Sequence, residues 1–199
     1  MQDGKLLQIR ERYMEDEKII ELYWQRDEEA LRQTNQKYGS FCYYIAHNIL
    51  KDDEDSKECV NDTWFKTWTV IPPKRPEYFQ AFLGKITRNL SLDRYRKNHA
   101  SKRGGGSMDV IYEELKECIA DRTCEEARTD TIVITDALGK FLKEISKDAR
   151  IIFVRRYWYA DSVAQIAERF GMSESKVKSS LMRSRNRLKA FLEKEGITV

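Results

Sequence analysis

The chain has 199 residues and a formal net charge of +3, with 41% hydrophobic and 35% charged residues. This length suits one large or two small domains with cores beneath a strongly ionic surface, and no apolar run is long enough to span a bilayer. Four cysteines without a CxxC spacing (Cys42, Cys59, Cys118 and Cys124) argue against a zinc site, so we expect a cytoplasmic protein with reduced thiols and no cofactor or metal.

Helix-breaking residues are few: the chain has three prolines and nine glycines, and no strand-like alternation of any length appears. We therefore predict an all-α fold. The glycine triplet at 104–106 would carry a large entropic cost inside a helix and marks a domain boundary. The predicted order is an N-terminal helical domain at 1–98, a flexible acidic linker at 99–130 with a short helix at 110–119, and a C-terminal helix-turn-helix domain at 131–199.

An amphipathic helix is predicted from Asp55 to Ile71. Its apolar face, which includes Val60, Trp64 and Trp68, is assigned to the core. The opposite face presents carboxylates beside an aromatic ring and consists of Asp55, Glu58, Asp62, Phe65, Lys66 and Thr69. Two interpretations stay open: a solvated acidic face, or a protein-docking surface anchored by an exposed Phe65.

A stiff, proline-rich loop follows from Ile71 to Gln80 and carries two cations and two aromatic rings, Lys74, Arg75, Tyr78 and Phe79. The next predicted helix, from Ala81 to Asn98, buries Phe82, Leu83, Ile86 and Leu90. It exposes Lys85, Arg88, Asn89, Tyr95 and Arg96, with Arg94 and Lys97 near its end. Cations interleaved with aromatic rings suit single-stranded nucleic acid, because bases stack on rings and phosphates attract cations. The alternative is that Phe79 and Phe82 belong to the core and the cations only aid solubility.

Two helices joined by a tight turn are predicted between Ser162 and Phe191. The first helix buries Val163, Ile166, Ala167 and Phe170. Gly171 can take the positive φ that ends a helix, and Ser173 is a good N-cap for the second helix. The second helix packs through Val177, Leu181, Leu188 and Leu192, with the small Ser184 between them.

The outer side of this second helix carries short polar groups and cations: Ser175, Lys176, Ser179, Arg183 and Asn186, flanked by Lys178, Arg185 and Arg187. Residues 172–195 hold seven Lys/Arg against three Glu, whereas residues 109–130 hold eight acids against three bases. A packed back, polar groups for base edges and cations for phosphates are what a helix in the major groove needs. The alternative is an ordinary helical hairpin with a solvated basic face.

A single-strand site at one end and a major-groove helix at the other would let the chain grip duplex DNA at one point and open it at another. In this order, SKECVNDTWFKTW, FLGKITRNLSLDRYRK and RYWYADSVAQIAERFGMSESKVKSSLMRSRNRL resemble three segments of the bacterial sigma factors of the extracytoplasmic-function (ECF) group, over nearly the whole chain. Sigma factors of this group bind core RNA polymerase, direct it to promoters and help to melt the −10 region. The resemblance implies this function, with no enzymatic activity in the chain itself.

The resemblance also implies a role for each segment. Docking on the β′ clamp helices of the polymerase would involve Asp55, Glu58, Asn61, Asp62, Phe65 and Lys66. Recognition of the single-stranded −10 element would involve Lys74, Arg75, Tyr78, Phe79, Lys85, Arg88, Asn89, Arg94 and Arg96. Recognition of the double-stranded −35 element would involve Ser175, Lys176, Lys178, Ser179, Arg183 and Arg185.

The implied partners are core RNA polymerase, through its β′ and β subunits, and promoter DNA; no membrane insertion is expected. The family commonly has an anti-sigma protein, and the exposed polymerase-binding surfaces would be its natural target. The acidic linker would thread a polymerase channel that RNA later occupies.

Two rival functions stay open on the residues alone. A stand-alone helix-turn-helix regulator would leave the acidic face and the proline-rich loop unused. An enzyme acting on DNA, such as a recombinase, finds little support, because His47 and His99 are the only histidines and no metal-ligand cluster or phosphate-binding loop appears.

Overall fold

The computed structural model describes residues 13–99, 107–116 and 127–195, and all regular secondary structure in these ranges is α-helical. The predicted all-α fold is confirmed. The helices are α1 (Asp16–Trp24), α2 (Glu29–Leu50), α3 (Asp53–Val70), α4 (Phe79–His99), α5 (Ser107–Lys116), α6 (Ala127–Glu144), α7 (Lys147–Tyr157), α8 (Val163–Phe170) and α9 (Glu174–Lys194). The chain divides into two compact units, Met1–Arg103 and Gly104–Val199.

The first unit is built around α2, which packs against α1, α3 and α4. Its core includes Ile19 and Tyr23 of α1, Cys42 of α2 and Trp64 of α3. A fully buried aliphatic side chain such as Ile19 contributes about 1.5–3 kcal/mol by leaving water. The buried Tyr23 hydroxyl keeps a partner, since it lies 3.0 Å from the hydroxyl of Thr34.

The start of α3 is fixed by Asp52, whose side chain accepts a hydrogen bond from the Asp55 amide at 2.8 Å. The apolar face predicted for this helix is confirmed, because Val60 and Trp64 are buried and Trp68 is half-buried. The acidic side of α3 therefore faces outwards.

The start of α4 lies two residues before the predicted one, and its buried stripe runs at four-residue steps through Phe79, Leu83, Thr87, Ser91 and Tyr95. The prediction that Tyr95 is exposed is therefore wrong. Hydropathy missed this stripe because two of its members are polar. The other apolar residues predicted to be buried are half-buried: Phe82, Ile86 and Leu90.

The two polar members of the stripe are hydrogen-bonded within the helices. The Thr87 hydroxyl donates to the Leu83 carbonyl at 2.9 Å, and the Ser91 hydroxyl donates to the Thr87 carbonyl at 2.8 Å. Across the helix pair, the Thr63 hydroxyl of α3 donates to that of Thr87 at 3.2 Å. These bonds offset the cost of burying the hydroxyls, so small polar residues serve as core between α3 and α4.

The ring of Phe79 lies inside this core. It is 1% exposed and packs against Tyr23 and Tyr38, at centroid distances of 6.0 and 5.8 Å. A base cannot stack on a ring whose faces are covered by other side chains. The prediction of Phe79 as a nucleic-acid contact is therefore wrong.

In the second unit α9 packs against α6, α7 and α8. The stripe predicted for α9 is confirmed, since its buried residues are Val177, Leu181, Ser184, Leu188 and Leu192. On α8, Ile166 and Ala167 are buried as predicted, and Val163 is half-buried. Phe170, predicted to be buried, is exposed. It is the last residue of α8, where the helix ends.

Helix α5 occupies part of the segment predicted as a flexible linker. Met108, Ile111 and Leu115 recur at helical spacing; the first two are buried and the third is half-buried. Residues 107–116 thus form a helix within the second unit, which overlaps the short helix predicted at 110–119. The remaining acidic stretch, 117–126, and the glycine triplet at 104–106 lie outside the described residues.

Candidate protein-docking and nucleic-acid interfaces

The outward side of α3 forms a continuous patch that we call the acidic face, composed of Asp55, Glu58, Asn61, Asp62, Phe65 and Lys66. All its members are exposed except Asp55, which is half-buried. Phe65 is 71% exposed among them. An aromatic ring left in water beside carboxylates is the composition of a protein-docking surface with a hydrophobic anchor.

Arg94 of α4 lies beneath the acidic face and binds three of its carboxylates. Its Nη1 donates to Glu58 Oε2 at 2.7 Å and to Asp55 Oδ1 at 3.3 Å, while Nη2 donates to Asp62 Oδ2 at 3.1 Å. The hydrogen bond from Arg94, reinforced by its positive charge, holds the pKa of Glu58 below its usual range. Arg94 therefore holds three carboxylates of the face in position.

This arrangement corrects the role predicted for Arg94. Its side chain is only 18% exposed, and its guanidinium is directed at α3. A rigid guanidinium that already binds three carboxylates has few donors left for phosphates or bases. Arg94 therefore supports the acidic face and leaves the predicted set of −10 contacts.

The loop between α3 and α4 exposes Lys74, Arg75 and Tyr78, and the ring of Tyr78 is 70% exposed. Arg75 forms an ion pair with Glu21 at 3.1 Å and stacks over the ring of Trp24, 5.8 Å from its centroid. Trp24 belongs to α1 and was absent from the predicted site. The position of Trp24 in the sequence of α1 does not predict this contact, because the contact depends on the path of the loop that carries Arg75.

Along α4, Lys85, Asn89 and Arg96 are exposed, as predicted. Arg88 is half-buried, and burial, reinforced by the charge of Arg96, lowers its pKa. An arginine remains cationic in proteins despite such a shift. This part of the first unit thus offers an exposed ring on the loop and cations and an amide on the helix, the groups that single-stranded nucleic acid needs.

The turn between α8 and α9 is built by local hydrogen bonds. Ser162 and Gln165 form a capping box at the start of α8, with bonds of 3.1 and 2.8 Å. Gly171 ends α8 with φ +59°, and the Ser173 side chain accepts a hydrogen bond from the Lys176 amide at 3.3 Å. The predicted roles of Gly171 and Ser173 are confirmed.

The exposed side of α9 carries five of the six residues predicted there: Ser175, Lys176, Lys178, Ser179 and Arg183. Arg185 is the exception. Its side chain is largely buried and donates to the Tyr157 hydroxyl at 3.0 Å. Arg185 follows Leu181 by four residues and precedes Leu188 by three, so it lies at the edge of the packed side and leaves the predicted duplex-binding set.

Among residues 13–99, 107–116 and 127–195, no group of three or more His, Cys, Asp or Glu side chains is placed to hold a metal ion. No helix in those ranges has the length and hydropathy that a bilayer crossing requires.

His47 is half-buried and stacks on Tyr43, with 5.5 Å between the ring centroids.

Comparison with known proteins matches both units. Residues 36–101 match the family described as Sigma-70 region 2, and residues 135–188 match Sigma-70, region 4. The chain is 25% identical over 172 residues to the ECF RNA polymerase sigma factor SigL of Mycobacterium tuberculosis, covering 84% of this chain and 92% of that one. It is also 25% identical over 155 residues to the RNA polymerase sigma-E factor of Streptomyces avermitilis, covering 76% and 79% of the two chains.

Proposed function

The chain belongs to the sigma-70 family as an ECF sigma factor of RNA polymerase, and we propose that its two units divide promoter recognition between them. It directs the polymerase to promoters. The rival function of a stand-alone helix-turn-helix regulator is wrong, because residues 36–101, which match Sigma-70 region 2, contain the acidic face and the proline-rich loop that such a regulator would leave unused. Sigma factors are not enzymes, which agrees with the expectation of a non-catalytic chain. We place its action in the cytoplasm, where transcription occurs in bacteria.

The acidic face is proposed to dock on the β′ clamp helices of core polymerase. The observation that carries this proposal is the exposed Phe65 ring beside carboxylates that Arg94 holds in place. Fixed carboxylates lose little side-chain entropy on binding, and an aromatic anchor supplies apolar contact area. The same surface would suit an anti-sigma protein, which would then compete with the polymerase.

The loop between α3 and α4, together with α4, is proposed to capture unstacked bases of the non-template strand at the −10 element. The residues retained for this role are Lys74, Arg75, Tyr78, Lys85, Arg88, Asn89 and Arg96. Tyr78 is the ring available for stacking, because Phe79 is buried. The cations would follow the phosphates of the separated strand.

Helix α9 is proposed to read the −35 element in the major groove. Its retained contacts are Ser175, Lys176, Lys178, Ser179 and Arg183. The stripe of α9 opposite this side is buried, so the exposed groups are presented on a packed helix. Ser175 and Ser179 are short enough to let the helix approach base edges, while the cations suit phosphates and guanine.

Arg183→Ala is expected to weaken recognition of the −35 element by about 1–3 kcal/mol if this side chain contacts a base edge. The measurement is transcription from a promoter with an intact or a scrambled upstream element, using holoenzyme made with each variant. Lys143→Ala removes one positive charge from an exposed position on α6 and serves as the matched control. Equal dependence on the upstream element in both variants would contradict the role of Arg183.

A further inference from the structure

Glu114 of α5 is bound by side chains of α7 and lies close to α9. Its carboxylate accepts two hydrogen bonds from Arg156, at 3.1 Å from Nε and 2.8 Å from Nη2. The Tyr157 hydroxyl also donates to it at 3.1 Å, and Arg185 Nη1 of α9 lies 3.9 Å away. This carboxylate comes from the segment between the two matched ranges, 36–101 and 135–188, and it meets three groups of the helix-turn-helix unit.

The groups that bind Glu114 are themselves connected to both helices of the helix-turn-helix. Arg156 Nη1 donates to the carbonyl of Asp161, the residue before the N-cap of α8, at 3.1 Å. Arg185 of α9 donates to the Tyr157 hydroxyl at 3.0 Å. The contacts of Glu114 thus reach the start of α8 through Arg156 and the middle of α9 through Tyr157.

The burial of Arg156 makes its contact with Glu114 costly to break. The Arg156 side chain is 9% exposed, and a buried guanidinium without its carboxylate partner is costly. Burial also raises the pKa of Tyr157, so its hydroxyl stays protonated and can donate to Glu114 while it accepts from Arg185. Met108 and Ile111, both buried, hold α5 beside these groups.

We propose that Glu114 is a positioning residue for recognition of the −35 element. It fixes the orientation of α9 through Arg156 and Tyr157. The inference rests on the proposed role of α9 in duplex recognition. It gives α5 a function in DNA recognition that an acidic linker lacks. The neighbouring residue Glu113 has the same charge but is exposed, so we assign the positioning role to Glu114 alone.

The test compares Glu114→Gln with the matched control Glu113→Gln in full-length protein assembled with core polymerase. Three templates are used: a promoter mapped with the wild-type protein, its copy with a scrambled upstream element, and a copy opened in advance at −10. Glu114→Gln is expected to lower the ratio of transcription from the first two templates by about tenfold, the scale of a lost charged hydrogen bond. Transcription from the pre-opened template and core affinity are expected to stay at wild-type levels, and Glu113→Gln to leave the ratio unchanged.

Several results would overturn the proposal. An unchanged ratio for Glu114→Gln is one, and an equal loss on all three templates is another, because it indicates general destabilisation. Assays are run below the unfolding midpoint of every variant, measured by circular dichroism. The double variant Glu114→Gln/Arg156→Gln removes both charges of the ion pair; a wild-type ratio in this variant would also contradict positioning by the pair. If Arg183→Ala leaves the ratio unchanged as well, the assignment of α9 itself fails.

Discussion

Asp62→Arg is expected to abolish binding of the chain to core RNA polymerase while the first unit stays folded. The substitution places a second guanidinium beside Arg94, whose Nη2 lies 3.1 Å from the Asp62 carboxylate. It also reverses the charge that the acidic face would present to its partner. Losing a charge pair that becomes buried on docking costs about 2–5 kcal/mol, or roughly 30-fold or more in affinity.

The measurement is the equilibrium binding of labelled core polymerase to each variant. Glu17→Arg, the same charge reversal at an exposed position on α1, is the control and should bind with wild-type affinity. Phe65→Ala provides a second check on the acidic face, because it removes the exposed ring without changing charge. Wild-type affinity in Asp62→Arg would show that the polymerase docks elsewhere.

Phe79→Ala is expected to lower the free energy of unfolding of the first unit by about 3–5 kcal/mol, since it empties a ring-sized space in a close-packed core. The ring contacts Tyr23 and Tyr38, which come from two other helices, so the cavity cannot close by moving one side chain. Denaturant titration followed by tryptophan fluorescence measures the loss. A change below about 0.5 kcal/mol, the range of surface substitutions, would contradict the core position.

Tyr78→Ala, one residue away, is expected to behave in the opposite manner. The ring is 70% exposed, so stability should stay within about 0.5 kcal/mol of wild type. Binding of a single-stranded −10 oligonucleotide by holoenzyme should weaken by about 1–3 kcal/mol, the contribution of one stacked base. Tyr78→Phe keeps the ring and should bind as wild type does.

The helix-turn-helix could be predicted from sequence because its determinants are local. Gly171 and Ser173 act through their own backbone and the next turn, and the stripe of α9 consists of aliphatic residues apart from Ser184. The spacing of such residues specifies a helix and its buried side without knowledge of the partner.

The phase of α4 could not be predicted in the same way. Its buried stripe contains Thr87 and Ser91, whose burial depends on hydrogen bonds within α4 and to α3. A hydropathy pattern assigns these residues to the surface. The different phase is why the prediction exposes Tyr95, whereas Phe79 falls in the predicted loop because the helix is predicted to begin at Ala81 and not at Phe79.

The roles of the two corrected arginines depend on partners distant in the sequence. Arg94 binds carboxylates more than thirty residues earlier, and Arg185 binds Tyr157, 28 residues earlier. A cation that supports a neighbouring helix and one that meets a phosphate look the same in sequence, because both lie near the edge of an amphipathic helix. Only the packing of α3 against α4, and of α7 against α9, separates them.

The most direct test of the account is transcription in vitro, with core polymerase and this chain on a library of genomic DNA fragments. We expect start sites that require the chain and share sequence elements near −10 and −35. These sites should disappear with Asp62→Arg. The absence of start sites that depend on the chain, or their persistence with Asp62→Arg, would contradict promoter recognition through the acidic face.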